Sequence, residues 1–155
     1  MPIKPIPDGM PSLIPIYVVD RASEFLEFLR QSFGAKEKGR MLRPDGGIGH
    51  VFVTIGDSPI MVSDSSKDMP ATPMSMYLYV KDADTTFKRA LATGATTLMP
   101  MDNQFWGDRE GAVRDPFGNS WCIASHVEDV TPDEMRKRAT AAFAKYAEKE
   151  HATST

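Results

Sequence analysis

The run Phe105-Trp106-Gly107-Asp108-Arg109 gathers the densest set of functional groups in the chain. An indole beside a glycine in a loop can stack on a planar ligand, while the carboxylate and guanidinium that follow bind polar groups at its rim. The plainer alternative is that Trp106 plugs a sheet end and Asp108 pairs with Arg109 or Arg114. Tyr77 and Tyr79 fall on alternate positions of one candidate strand and line the same wall as Ser75. His50 opens another strand, where it is a base, a ligand contact or a lone metal ligand, or else a strand-end histidine bonded to backbone. Cys122 reads as an inert thiol, because no neighbouring feature supplies the cationic surroundings of a reactive thiolate. His126, beside Glu128 and Asp129, reads as a surface residue in a junction.

Positioning these side chains falls to two copies of one pattern. In the first, a strand over Leu13 to Val19 leads to Asp20 as helix cap. A helix from Ala22 to Phe33 then carries Phe25, Leu26, Phe28, Leu29 and Phe33 on one stripe, and Gly34 ends it. An extended, edge-like segment from Ala35 to Leu42 follows, then a turn at Pro44-Asp45-Gly46-Gly47, a strand from His50 to Ile55, a turn at Gly56-Asp57-Ser58 and a strand from Pro59 to Ser63. After a polar linker, Ser75 to Val80 restarts the pattern. Asp82 or Asp84 caps a second helix with Phe87, Ala90 and Leu91 inward, Gly94 ends it, and Thr96 to Met101 is the next strand. The last hairpin turns at Asp115-Pro116-Phe117-Gly118-Asn119, where Pro116 presets one backbone angle and Gly118 supplies positive φ. Val19-Asp20-Arg21-Ala22 and Phe33-Gly34-Ala35 recur as Val80-Lys81-Asp82-Ala83 and Thr93-Gly94-Ala95, so the repeat aligns in several places at once.

The reading is therefore an α+β chain of two βαβββ repeats that form curved mixed sheets around a cleft, plus a C-terminal helix. Its parts are an extension over 1–12, the first repeat over 13–63, a linker over 64–73, the second repeat over 74–127, and the helix and tail over 128–155. One helix cannot cover both faces of a four-stranded sheet, so the halves lie side by side or are exchanged between two chains, and a homodimer is expected. In the tail, Thr131 caps, Pro132 takes the first helical position and Glu134 completes a capping box. Met135, Ala139, Ala142, Phe143 and Tyr146 need a surface to bury against, and residues 151–155 are expected to fray.

Composition removes several classes of function. The 155 residues carry a formal net charge of −3, with 41% apolar and 25% charged residues, so no broad basic surface offers itself to nucleic acid or anionic lipid. A single cysteine excludes an intrachain disulfide and a cysteine-cluster metal site. No stretch approaches the roughly 20 apolar residues a membrane span needs, and the N-terminus has no apolar run suited to secretion, so a cytoplasmic protein is expected. Ten methionines are either core filler or the adaptable wall of an apolar pocket.

The doubled βαβββ pattern with its Asp115-Pro116-Phe117-Gly118-Asn119 turn resembles the vicinal oxygen chelate superfamily, which includes glyoxalase I, extradiol dioxygenases and bleomycin-resistance proteins. The segments Gly49 to Val53, Gly56 to Ser58, Trp106 to Arg109 and Ser125 to Met135 look like its PhnB-like branch. Catalytic members hold a divalent metal on His, Glu or Gln side chains facing the cleft. The matching positions here, Leu13, Met61 to Ser63, Ser75 and Cys122, lack that donor set.

The resemblance thus implies a small organic ligand bound in a dimeric cleft without a catalytic metal or other cofactor. Trp106, Asp108, Arg109, Tyr79, Tyr77, His50, Ser75 and Cys122 would line it, and no catalytic residue is assigned. The alternative is a lyase, isomerase or dioxygenase that depends on a divalent metal, held by His50 and carboxylates the sequence does not single out.

Overall fold

Alternation of apolar and polar residues along the strands decides which sheet face is covered. A computed structural model of the protein describes residues 2–153 and places eleven elements in two units. The first unit is β1 (Ile16–Val19), α1 (Ala22–Phe33), β2 (Lys36–Leu42), β3 (Ile48–Ile55) and β4 (Ser58–Asp64). The second is β5 (Ser75–Tyr79), α2 (Ala83–Ala92), β6 (Thr96–Asn103), β7 (Asp108–Arg114) and β8 (Ser120–His126), and α3 (Pro132–Thr153) closes the chain. The strand orders are β1-β4-β3-β2 and β5-β8-β7-β6, with the first pair of each sheet parallel and the others antiparallel. This is the doubled βαβββ, α+β arrangement expected from sequence.

Several boundaries differ from expectation. β1 starts at Ile16, leaving Leu13 outside it and exposed. Asp20 does not cap α1. Arg21 takes the left-handed N-cap position without a side-chain cap, and the Ala22 amide donates to Asp64 Oδ1 at 2.7 Å. Asp64 Oδ2 also accepts the Ile48 amide at 2.7 Å, so one carboxylate at the end of β4 fixes both a helix start and a strand start. In the second unit Ser125 does the equivalent work, accepting the Ala83 amide and donating to the Val80 carbonyl. Asp64 and Ser125 each lie 42 residues beyond the first residue of the helix they hold. Asp82, rather than Asp84, caps α2 through the Thr85 amide.

The covered faces of the two units meet within one chain. Tyr17 on β1 stacks on Trp121 of β8 with ring centres 5.6 Å apart and planes within 5°, Phe33 packs 4.7 Å from Trp121, and Phe25 meets Phe117 edge-on at 5.3 Å. Around these rings Val19, Phe25, Leu29, Val51, Val62, Val113 and Ile123 are buried in one continuous core. The Asp115 carboxylate, itself buried, ties the last hairpin to that core. It accepts from the Phe117 and Asn119 amides, the Asn119 side chain and Trp121 Nε1.

The opposite faces of both sheets stay open. Ile16, Met41, Tyr77 and Tyr79 are exposed there, and β2 is exposed along its whole length. The helix α3 has no buried residue: Phe143 meets the Phe105 ring edge-on at 6.0 Å and, like Tyr146, is exposed. Glu134 bonds Arg138 and so does not close a capping box, although Thr131 does cap through the Glu134 amide. Residues 151–153 continue the helix, while 154 and 155 lie outside the described residues. Among the described residues no helix is long and apolar enough to cross a membrane.

Candidate functional site

The sheet of β5, β8, β7 and β6 carries the site on its open face. Tyr77 and Tyr79 pair with Cys122 and Ala124 of β8, which in turn pair with Ala112 and Glu110 of β7. Because Cys122 and Ala124 are small, both tyrosines can lie across β8 and reach the carboxylates of β7. Tyr79 donates to Asp108 Oδ2 at 2.7 Å. The Tyr77 hydroxyl lies 2.7 Å from Asp108 Oδ2 and 2.9 Å from Glu110 Oε2, and its one hydrogen serves that pair. Trp106 Nε1 donates to the Tyr77 oxygen at 3.3 Å. The two tyrosine rings stand 5.1 Å apart at 56° to one another.

The carboxylates are buried and the rings are not. Asp108 and Glu110 are 2% and 4% exposed, against 44% for Tyr77 and 60% for Tyr79. Burial raises the pKa of Asp108, but the bonds from Tyr79, His126 and Tyr77 outweigh it and leave the group below its ordinary value. Tyr77 is shifted up by burial and by the Asp108 bond, and Tyr79 by that bond first and then by burial. Both remain phenols at physiological pH. Cys122, partly buried, is pushed up to about 11 by burial and by Glu110.

His126 is exposed at the end of β8, as its reading as a surface residue expects, and it also joins the site. Its Nδ1 lies 2.9 Å from Asp108 Oδ1 and its Nε2 2.9 Å from Asp129 Oδ1. Asp129 first and Asp108 second raise its pKa above the ordinary value. Glu110, His126 and Asp129 are the participants that sequence reasoning missed. The usable signal was the alternation of Asp108 with Glu110 along one strand.

Arg109 is a correction. Asp108 and Arg109 belong to β7, not to a loop, so successive side chains must point to opposite faces. Arg109 accordingly turns to α2 and holds Asp84 through two bonds of 2.6 and 2.8 Å, away from the tyrosines. Ser75 shares their face but sits at the far end of β5, paired with Ser120. His50 lies on the other sheet, its ring edge-on to Phe52 at 5.1 Å, and the chain does not bring it to the tyrosine cluster.

The Trp106 loop is anchored at several points. Gly107, at φ 99°, receives the Val127 and Glu128 amides on its carbonyl, and a Cβ there would fall 2.0 Å from the Glu128 oxygen. Arg138 of α3 bonds Glu128 through both oxygens and reaches the Phe105 carbonyl. A cavity of about 490 Å³ opens beside β5, lined by Tyr77, Tyr79, Lys81, Phe33 and the Gly56–Ser58 turn. A second, of about 400 Å³, lies at the seam between the sheets and is lined by Leu13, Pro15, Ile60, Met76, Leu78 and Trp121. Both are of small-molecule size.

A divalent metal does not fit the residues at the positions the superfamily uses. Those positions hold Ile16 and Val18 on β1, Met61 and Ser63 on β4, Ser75 and Tyr77 on β5, and Cys122 on β8, while Asp108, Glu110 and His126 lie elsewhere on the open faces and bond the tyrosines and one another. The residues at the superfamily's positions supply neither an imidazole nor a carboxylate, and no group of three or more His, Cys, Asp or Glu among the described residues is arranged to hold a metal.

Comparison with known proteins gives the same fold. An uncharacterized protein of Mycobacterium bovis is 36% identical over 137 residues, covering 81% of this chain and 90% of its own. TioX from Micromonospora sp. ML1 superposes with a TM-score of 0.59 at 24% identity, over 75% of this chain and all of its own. Protein PA1353 from Pseudomonas aeruginosa gives 0.65 at 21% over 77% and 100%, and the PhnB protein from Bacillus cereus 0.61 at 22% over 74% and 99%. The family model described as Glyoxalase/Bleomycin resistance protein/Dioxygenase superfamily matches residues 13–123, and the chain belongs to that superfamily.

Proposed function

We propose that this protein binds a small organic molecule in a cleft walled by Tyr77, Tyr79 and Trp106, without a catalytic metal. The observation that carries the reading is a pair of exposed tyrosines held in fixed orientation by two buried carboxylates. Buried charge is a demanding way to orient aromatic rings, and it suits a surface that must be rigid before its ligand arrives. The second wall is the open face of the other sheet in a second copy of the chain, which would cover Ile16 and Met41 and bring His50 towards the tyrosines. Likeness of fold to the Bacillus cereus PhnB protein supports a place in the PhnB-like branch, and a lone, unactivated Cys122 suits a cytoplasmic setting.

Three measurements on one preparation test this. Sedimentation should give a dimer, elemental analysis with manganese, iron, nickel and zinc offered in turn should find no stoichiometric metal, and thermal-shift screening should find small organic ligands that Trp106→Leu no longer binds. Stoichiometric metal lost on His50→Ala would instead favour the metal-dependent lyase, isomerase or dioxygenase.

A further inference from the structure

Resting on that reading, we infer that the ligand is a compact organic cation, a protonated amine or a quaternary ammonium, held against the rings of Tyr77, Tyr79 and Trp106. The first observation is the direction of the donors. Each tyrosine has one hydroxyl hydrogen, and both are spent inward on Asp108 and Glu110, while the Trp106 N–H is spent on the Tyr77 oxygen. What these three residues turn towards a ligand is ring face and oxygen lone pair. A carboxylate or phosphate would meet no donor from them. A cation would meet two rings inclined at 56°, the geometry of a partial aromatic cage.

The second observation is the charge behind the rings. A phenol that donates to a carboxylate carries more electron density in its ring, which strengthens attraction for a cation on the ring face. Of the two carboxylates, Asp108 shares His126, whose other nitrogen is taken by Asp129. Glu110, 4% exposed, is partnered by the Tyr77 hydroxyl and the Cys122 thiol, neither of them a cation. Nearby guanidinium groups are committed elsewhere, Arg109 to Asp84 and Arg138 to Glu128 and Glu134. On the cavity beside β5, the one cation and one anion of the lining are Lys81 and Asp57. The face is therefore aromatic, rich in acceptors and backed by two buried acidic side chains, of which Glu110 has no cationic partner.

The test is isothermal titration of the full chain with choline and with its uncharged carbon isostere 3,3-dimethylbutan-1-ol, alongside the apolar anionic dye 1-anilinonaphthalene-8-sulfonate. The inference expects choline to bind about tenfold or more tighter than the isostere, the factor a partly desolvated cation on aromatic faces gives. Tyr79→Leu should abolish that preference, and Trp106→Leu, a loop change that spares the strands, should reduce it several-fold. An isostere that binds as well as choline overturns the inference, as does a cation preference that survives both substitutions. Dye binding without choline binding overturns the cation and leaves the small-molecule cleft standing. Failure of all three probes overturns both.

Discussion

Replacing Asp108 with asparagine isolates what the buried carboxylate does, because shape is kept and charge is lost. Asp108 accepts three bonds, from Tyr77 and Tyr79 at 2.7 Å and from His126 at 2.9 Å. An asparagine can keep both tyrosine bonds on its carbonyl oxygen and turn its amide to a neutral His126, so no partner need be orphaned. Bonds to a charged acceptor contribute about 1.5–3 kcal/mol and neutral ones about 0.5–1.5, so three conversions amount to roughly 3–4 kcal/mol. The exposed outer parts of the tyrosines and His126 reduce this to about 2 kcal/mol. At this chain length that lowers Tm by about 4–8 °C.

The pH dependence has a definite sign. His126 has a raised folded pKa, so its contribution is complete below its unfolded value and fades as pH rises through the folded one. Asp108 has a lowered folded pKa, so its contribution is present above its unfolded value and fades as pH falls through the folded one. Urea unfolding should therefore show the largest wild-type advantage between roughly pH 5 and 6, and a smaller one as pH rises through the folded His126 value. An NMR titration should show His126 moving down towards its ordinary value in the variant, held up only by Asp129. Unfolding curves that coincide within about 0.5 kcal/mol, with an unmoved His126, would refute the carboxylate's role as the organiser of this face.

Three further substitutions or reactions have defined outcomes. Asp115→Ala strips acceptors from the Trp121 indole and from the Asn119 amide and side chain, all in buried residues. Urea unfolding should show a loss of about 3–5 kcal/mol. Gly107→Ala forces a Cβ into the Glu128 carbonyl at positive φ, with about 1–3 kcal/mol of backbone strain to add. Tryptophan fluorescence should report a displaced Trp106, whereas an unchanged spectrum would contradict the anchoring described. Cys122, with its thiol near 11, should react with iodoacetamide at pH 8 about a hundredfold more slowly than an unperturbed cysteine, and a thiol-like rate would show that the site opens freely.

Much of the fold was legible because its signals are local. Helical stripes, the Gly34 stop and the Asp115 to Asn119 turn each act within a few residues. Asp20 looked like the cap of α1 for the same reason, yet the group that does the work is Asp64, brought from 42 residues away by the pairing of β1 with β4. The site follows this division. Alternation put Tyr77 and Tyr79 on one wall, but their carboxylates lie 29 to 33 residues on, across an intervening strand whose place only the topology sets. Arg109 is not legible in this way, because the Trp106-Gly107 pair reads as loop through residue 109 whereas β7 begins at Asp108, and its period of two turns Arg109 to the opposite face.

The central claim is that the open face of β5, with the Trp106 loop, is where a small molecule binds. The most direct measurement is an NMR screen of small organic compounds that follows the indole N–H resonances of Trp106 and of buried Trp121 together with the Tyr77 and Tyr79 amides. The account predicts ligand-induced shifts at Trp106, Tyr77 and Tyr79, with Trp121 still. Shifts confined to the seam around Trp121 and Met76, or to the α3 groove beside Phe105 and Tyr146, would contradict it.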